Sequence, residues 1–337
     1  MPAAAIVSFR LRGTDGVSVE ATKWEWALRQ LGFEVRTVAG SGPVDVVVPA
    51  LERGAATPTP REVAGAVDGM AVVVVENLLS LPLNRNAAAV VAQVLQGRPA
   101  ILRHHDLAWQ RPELGPAPDW PPRDPAWLHV TINERSRSEL AARGIEAVCR
   151  YNRFPTTGWD GDREGTRAAL GLDGTVLLHP VRAIGRKDVP AAVALATSVG
   201  ATYWLTGAAE DGYAPELERV LRSATCPWVH RGVGSVPDAY AASDAACLTS
   251  RLEGFGNPVI ESALARRPLA LRRYPVAEEL ASFGFRWFPA DDPSPLGRFL
   301  ADPDARLIDH NQEVARSQFG LDRLPAELSQ LLERVLP

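Results

Sequence analysis

Short runs of β-branched, apolar residues recur along the chain with segments of helical spacing between them, and this alternation constrains the fold more than any other feature. Residues 44–48, interrupted only by Asp45, and residues 71–75 are valine-rich and of strand length. A strand wetted on one face alternates apolar with polar residues, whereas a run apolar throughout must be covered on both faces, as in a parallel sheet flanked by helices. The first repeat reads as a strand at 6–9, the loop Gly13-Thr14-Asp15-Gly16, a helix at 17–31 closed by Gly32, and a strand at 33–38. Further strands are expected at 100–102, 128–132 and 147–149, with helices at 86–95 and 136–143. The second half repeats the pattern: strands at 175–178, 201–205, 228–230, 245–248, 269–271 and 286–288, and helices at 189–196, 214–222, 236–241 and 257–265. From residue 293 the chain reads as helical to its end, with breaks near Pro303 and Pro325.

A chain of 337 residues exceeds what one hydrophobic core holds, so two α/β domains are expected. The polar stretch 152–165, mixing proline, glycine, threonine and aspartate, supplies the linker, giving domains 1–155 and 156–337 with the last helix free to pack back on the first. Asp160 and Asp162 lie in that linker with no strand before them and read as solvated. Residues 109–127 are proline-rich around Trp120, with Pro112, Pro116, Pro118, Pro121, Pro122 and Pro125, and form a loop ordered by packing that is a candidate wall of an acceptor pocket.

Composition excludes several classes of function. A net charge of -4 without a run of like charge gives no footprint for nucleic acid. Cys149, Cys226 and Cys247 lie far apart without metal-ligand spacing, which fits reduced thiols in a cytoplasmic protein and no metal site. The start lacks a signal peptide, and no apolar run reaches membrane-spanning length. The glycines after the first strand do not form the dinucleotide fingerprint, so no nicotinamide cofactor is expected. The residues suit a homo-oligomer as well as a monomer. Of 36 cationic side chains only Lys23 and Lys187 are lysines, the bias of a GC-rich, bacterial coding sequence.

That bias draws the eye to Arg182-Ala183-Ile184-Gly185-Arg186-Lys187-Asp188, just after the strand ending at Leu178. A lysine where arginine is the rule indicates a need for a compact ammonium, and with the Arg182 fork it suits a diphosphate. Arg186 is given no role beyond that of an exposed charge. A second constellation follows the strand 245–248: Glu253-Gly254-Phe255-Gly256-Asn257-Pro258-Val259-Ile260-Glu261. Asn257 is a good N-cap and Pro258 suits the first helical position, which puts Glu261 in the first turn of a helix. Gly254 and Gly256 let the backbone approach a ligand, and the helix start favours an anion. In the first half, His104 and His105 follow the strand 100–102, at the end where open α/β sheets place ligands. His105 is the stronger candidate; His104 reads as structural.

Together these constellations resemble the retaining glycosyltransferases of family 4, whose E-x7-E motif is matched by Glu253 and Glu261 and whose R-x4-K pair is matched by Arg182 and Lys187. Leu205-Thr206-Gly207 resembles the strand end before the nucleotide, and Val236-Pro237-Asp238-Ala239-Tyr240 the short helix before the E-x7-E strand. His105 matches the histidine of the family's first domain and residues 13–16 its glycine loop, while Gly207-Ala208-Ala209-Glu210 departs from the more glycine-rich form of that turn. The resemblance implies the GT-B architecture: two doubly wound Rossmann-like domains facing across a cleft, with C-terminal helices. It implies transfer of a hexose from a nucleoside-diphosphate sugar, of the UDP-glucose or GDP-mannose type, to a hydroxyl of a small-molecule or glycan acceptor, without a metal or other cofactor. Glu261 would then accept hydrogen bonds from ribose hydroxyls, and Glu253 would face the transferred sugar, with backbone amides of Phe255, Gly256 and Asn257 around it beside Gly254. Arg182 and Lys187 would stabilise the leaving diphosphate, and Gly207 and the loop 231–235 with Gly234 would hold the base. Gly16 and His105 would lie across the cleft from these residues. Two rivals share the shape, an epimerase of nucleotide sugars and a non-catalytic nucleotide-sugar binder; the R-x4-K pair and the four intact charges favour transfer.

Overall fold

The computed structural model describes residues 1–117 and 119–336; Pro118, one of the prolines of the aromatic loop, lies outside the described residues, as do Pro337 and the side chain of Pro112. The chain divides into two compact units, one formed by residues 1–153 and 321–337, the other by residues 154–320, against the expected change at 155 and 156.

The first unit is built on seven parallel strands: β1 (Ala3–Arg10), β2 (Glu34–Ser41), β3 (Val46–Val47), β4 (Val72–Glu76), β5 (Ala100–His104), β6 (Trp127–Thr131) and β7 (Ala147–Cys149). Their order is β3-β2-β1-β4-β5-β6-β7, so the chain winds outward one way from β1 and returns to wind the other way from β4. Both faces are covered, which is why the strand runs are apolar throughout. Ala5 and Val7 of β1 and Val73 and Val75 of β4 enter one core with Val63 and Val91 of the helices Pro60–Ala66 and Arg85–Leu95. Ala4, Ile6, Val72 and Val74 point to the opposite face, into a core with Trp24 and Leu28 of the helix Gly16–Gln30 and Leu324, Leu328, Leu331 and Leu332 of the final helix, Leu324–Val335. That final helix is further tied to the first unit by Arg153, whose Nε donates to Glu327 at 3.0 Å.

The second unit has six parallel strands: β8 (Val176–His179), β9 (Thr202–Leu205), β10 (Trp228–His230), β11 (Ala245–Leu248), β12 (Leu269–Leu271) and β13 (Phe288–Pro289). The order β10-β9-β8-β11-β12-β13 puts the reversal of winding between β8 and β11. No helix among the described residues is long and apolar enough to cross a membrane.

Several boundaries differ from the expectation. The residues read as a linker end in a helix, Arg163–Leu170, and Asp162, read as merely solvated, is its N-cap, accepting from the Gly165 amide at 2.9 Å. The helices Pro60–Ala66 and Pro275–Ala281 were not expected, because a proline in the first turn of each reads as a breaker until the residue before it is seen to be extended. The strand expected at 286–288 is Phe288–Pro289. The break expected near Pro325 falls earlier, and Pro325 sits in the first turn of the last helix. Asn257 is not an N-cap: Gly256 takes that position with φ 97°, and Asn257 and Pro258 open the helix Asn257–Leu264. The loop 109–127 contains short turns at Ala108–Gln110 and Pro112–Leu114. Packing orders it as expected: Trp120 lies against the first unit's core, and Trp109 donates to Glu139 at 2.6 Å beneath the Arg143 guanidinium.

Candidate active site

In an open parallel sheet the loops after the two strands flanking the reversal diverge, one to each face, and leave a crevice at the carboxyl ends of the strands. In the second unit those strands are β8 and β11. The loop after β8 carries Arg182, Arg186 and Lys187, and the loop after β11 carries Glu253. The sheet therefore brings together what the chain separates by 66 residues: the Lys187 ammonium pairs with Glu253, and Arg186 Nη1 donates to the other carboxylate oxygen at 2.9 Å. Arg186 also donates to the Leu252 carbonyl at 2.8 Å, so it holds the Glu253 loop and is not the exposed charge expected from sequence.

Burial alone would raise the Glu253 carboxyl, but the Lys187 and Arg186 cations outweigh it and hold the group at about 2. Lys187 moves the other way from a typical paired lysine: burial costs its ammonium more than Glu253 returns, with Arg186 adding repulsion, and its pKa falls to about 8. The two loops are stitched by further contacts. The buried Thr249 hydroxyl lies 2.9 Å from the Lys187 carbonyl and 3.1 Å from that of Asp188, and the Arg251 amide donates to the Arg186 carbonyl at 2.9 Å. Asp188, with φ 50°, caps the helix Val189–Ser198 and accepts from Arg272 at 2.6 Å and Arg251 at 3.2 Å. Below them His179 hydrogen-bonds the Tyr203 hydroxyl at 2.9 Å, and burial, with the Lys187 charge, drives its pKa down to about 3, so it is neutral.

Arg182 is not part of the Lys187 pair; its Nη1 donates to Glu210 at 2.7 Å. The loops after β8 and β9 run together there, with the Ala183 amide donating to the Ala208 carbonyl at 2.9 Å. This close approach explains Gly207: a Cβ on it would lie 2.3 Å from the Val181 carbonyl oxygen. The loop 231–235 is held from beneath by Trp204, whose Nε1 donates to the Arg231 carbonyl at 2.9 Å, and the preceding His230 ring nitrogen contacts the Gly207 carbonyl at 2.9 Å. Gly234 meets no such obstacle, so its smallness is not required by packing.

After Glu253 and Gly254, the Phe255 side chain turns inward onto Phe154 and Phe319, at ring separations of 6.3 and 6.0 Å, and the residue is buried. The Tyr274 hydroxyl donates to the Phe255 carbonyl at 3.0 Å and occupies the space where a Cβ of Gly256 would be, 2.1 Å away. One turn into the helix, half-buried Glu261 accepts from the Tyr240 hydroxyl at 3.0 Å. Burial, and after it the Glu261 charge, keep that phenol well above its ordinary pKa, so it stays a donor.

The first unit has its own reversal, between β1 and β4, and a second charged cluster at the same end of the strands. His105 Nε2 lies 2.6 Å from Glu76 at the end of β4. Arg103 bridges Glu76 at 3.1 Å, Glu20 at 3.0 Å and Asn152 at 3.2 Å, with its guanidinium 4.5 Å from the Trp24 ring centre. Burial opposes the Glu76 charge, yet Arg103 and His105 hold its carboxyl below the ordinary range. An ionised Glu76 accepts a hydrogen bond from His105 Nε2 and so fixes the ring, with Nδ1 on its other side. His104 is a core residue as read: fully buried, it stacks on His129 and hydrogen-bonds it at 2.9 Å, and burial keeps its pKa well below the ordinary value. Gly16 is the first residue of its helix, whose amides at Val17 and Ser18 are already capped by Asp15 at 3.1 and 3.2 Å.

Sequence reasoning missed Glu20, Glu76, Arg103, Asp188, Glu210 and Tyr274. The partners that tie them into the two clusters lie between 19 and 84 positions away, so no local spacing marks those contacts. Only Glu76 left a trace, as a carboxylate ending a valine strand.

No family model matches the chain. Mannosylglucosylglycerate synthases from Thermotoga maritima and Petrotoga mobilis are 24% and 23% identical to it, over 99% and 98% of this chain and 99% and 97% of theirs. Among solved structures, Anabaena HepE in complex with UDP-glucose superimposes with a TM-score of 0.77 at 16% identity, covering 98% of this chain and 99% of that one. Sucrose-phosphate synthase from Thermosynechococcus elongatus superimposes with a TM-score of 0.75 at 15% identity, covering 99% of both chains.

Proposed function

We propose that this chain, a glycosyltransferase of GT-B fold, transfers a hexose from a nucleoside-diphosphate hexose to a hydroxyl acceptor with retention of anomeric configuration and without a divalent ion. The observation that carries the reading is the buried Lys187–Glu253–Arg186 cluster at the reversal of the second sheet. Three cations, Arg182, Arg186 and Lys187, gather there with the carboxylates Glu210 and Glu253, and a dianionic diphosphate would compete with those carboxylates for them. The complexes named for HepE, with UDP-glucose and with UDP and glucose, support a donor of this class, and the name mannosylglucosylglycerate synthase supports hexose transfer to a small, soluble acceptor.

In this reading the diphosphate draws Lys187 and Arg182 away from Glu253 and Glu210. Glu253, still held by Arg186, is released to accept hydrogen bonds from the sugar's hydroxyls, and the amides of Phe255 to Asn257 line the sugar and phosphates. The bond from the anomeric carbon to the phosphate oxygen breaks, its electron pair going to the diphosphate, where Lys187 and Arg182 stabilise the new charge. The acceptor oxygen bonds to the anomeric carbon on the face just vacated, and its proton passes to the departing phosphate oxygen. Glu261, held by Tyr240, takes the ribose hydroxyls, and Gly207 and Gly234 border the base. His105, oriented by Glu76, handles a sugar or acceptor hydroxyl through Nδ1. Cys226 and Cys247, buried thiols, fit a cytoplasmic setting.

A thermal-shift screen against UDP, GDP, ADP and their sugar conjugates in EDTA tests the reading, because a ligand that binds only the folded state raises the melting temperature. One nucleotide should raise it, and Glu261→Ala should abolish the rise. No shift with any nucleotide, or one that appears only when a divalent ion is added, would count against it.

A further inference from the structure

At the opposite end of the second sheet, against the residues that lead into β8, β11 and β12, the unit contains a cavity of about 790 Å³. Its lining includes four arginines, Arg163, Arg266, Arg267 and Arg316, and the rings of Trp159 and Phe299. Two carboxylates share the lining, Asp160 and Asp244, and Asp244 is taken by Arg163 at 2.6 Å and by the neighbouring Arg167 at 3.4 Å. Arg266 is held by Asp309 at 2.7 Å. Among the described residues Arg267 has no carboxylate partner and donates to the carbonyls of Tyr240 at 2.8 Å, Ala241 at 3.1 Å and Arg266 at 3.1 Å. Burial, and after it the Arg163 cation, lower the pKa of Arg267. Arg316 is exposed and makes no ion pair or hydrogen bond among the described residues. A recess with guanidinium forks in excess and aromatic walls suits an oxyanion carried on an organic body.

We propose that this cavity is a second ligand site, separate from the donor loops, for a phosphorylated small molecule, and that its occupancy is coupled to donor binding through the helix Val236–Ala242. The route is continuous. Arg163 donates to the Ala241 carbonyl at 2.8 Å and the Ser243 carbonyl at 2.9 Å, so with Arg267 it holds the carbonyl end of that helix. The same helix presents Tyr240 to Glu261, and Trp159 of the cavity wall packs edge-on to the Tyr240 ring at 6.1 Å. An anion that draws Arg163 or Arg267 inward loosens those carbonyls and shifts the hydroxyl that orients Glu261. The coupling rests on the donor role given to Glu261; the binding site does not.

Calorimetric titration with inorganic pyrophosphate tests the site in the wild type, in Lys187→Ala and in Arg266→Ala/Arg316→Ala, whose altered side chains are both surface groups outside the donor loops. A site that persists in Lys187→Ala and is lost in the double variant, with melting temperature unchanged, is the expected result. Binding removed by Lys187→Ala and untouched by the double variant would overturn the cavity site and leave the donor reading standing; no binding to any of the three proteins would overturn the cavity site too. For the coupling, inorganic phosphate should weaken binding of the nucleotide found in the thermal screen about fivefold in the wild type and leave the double variant unchanged. An equal effect in both proteins would mean competition at the donor loops and would overturn the coupling.

Discussion

At the scale of single residues, the site depends on how two buried charges share one space. Glu253 is acidified to about 2 and Lys187 weakened to about 8, and each shift makes the fold more stable as pH rises, in separate pH windows. A carboxyl bound more tightly as its anion in the fold than in the unfolded chain stabilises the fold above its ordinary pKa, and that contribution fades as pH falls from the ordinary 4.5 through about 2. The difference in melting temperature between the wild type and Glu253→Gln should therefore shrink as pH is lowered from 6 to about 3. Lys187 has the same sign in a higher window: its proton is bound more weakly in the fold, so losing it above about pH 8 favours the fold, while it would remove the charge proposed to stabilise the leaving group. Rate and stability should part there, kcat/KM for the donor falling above pH 8 with no matching drop in melting temperature, as paired pH profiles would show. Lys187→Ala should lower kcat by about 10²–10³-fold, the loss typical of one preorganised donor to a developing anion. Arg186→Ala should also lower kcat, because Glu253 would lose the contact that holds it in place in the proposed donor complex.

At the scale of elements, the turn into the helix Asn257–Leu264 is set by a residue from another loop. Tyr274 binds the Phe255 carbonyl and fills the side of Gly256 that a Cβ would need. Asn257 has the chemistry of an N-cap, yet the left-handed Gly256 takes the position, because the chain must pass the Tyr274 ring before it can turn into the helix. Tyr274→Phe should cost about 1 kcal/mol, the net worth of one hydrogen bond, measurable by denaturant titration. It should also raise KM for the donor, because the backbone of Phe255 is then free to move. Gly256→Ala should cost about 1–3 kcal/mol, since the left-handed backbone conformation and the phenol both oppose it.

At the scale of the whole molecule, two sheets wound by the same rule each place charged side chains at their own reversal, and the chain closes the first unit with its last helix. Leu328 of that helix is fully buried in the first unit's core, so Leu328→Ala should destabilise by about 2–5 kcal/mol. Because its contacts lie in the first unit, nucleotide binding by the second should survive at temperatures where the variant is folded, which a binding titration alongside the melt would check.

The sequence by itself determined the strands and their parallel arrangement, since apolar runs covered on both faces and short glycine-bearing connections leave few alternatives. It also marked Lys187, Glu253 and Glu261, because a rare lysine and two carboxylates around a glycine turn are visible in local spacing. Tertiary structure alone decided what those groups touch. That Lys187 spends its charge on Glu253, that Arg186 holds the same carboxylate, that Arg182 turns to Glu210, and that His105 is fixed by Glu76 all follow from strand order. Strand order makes neighbours of loops dozens of residues apart, and once they meet away from water each buried charge must find a partner or be neutralised, a carboxylate by gaining a proton and a lysine by losing one. Local spacing carries no record of that pairing.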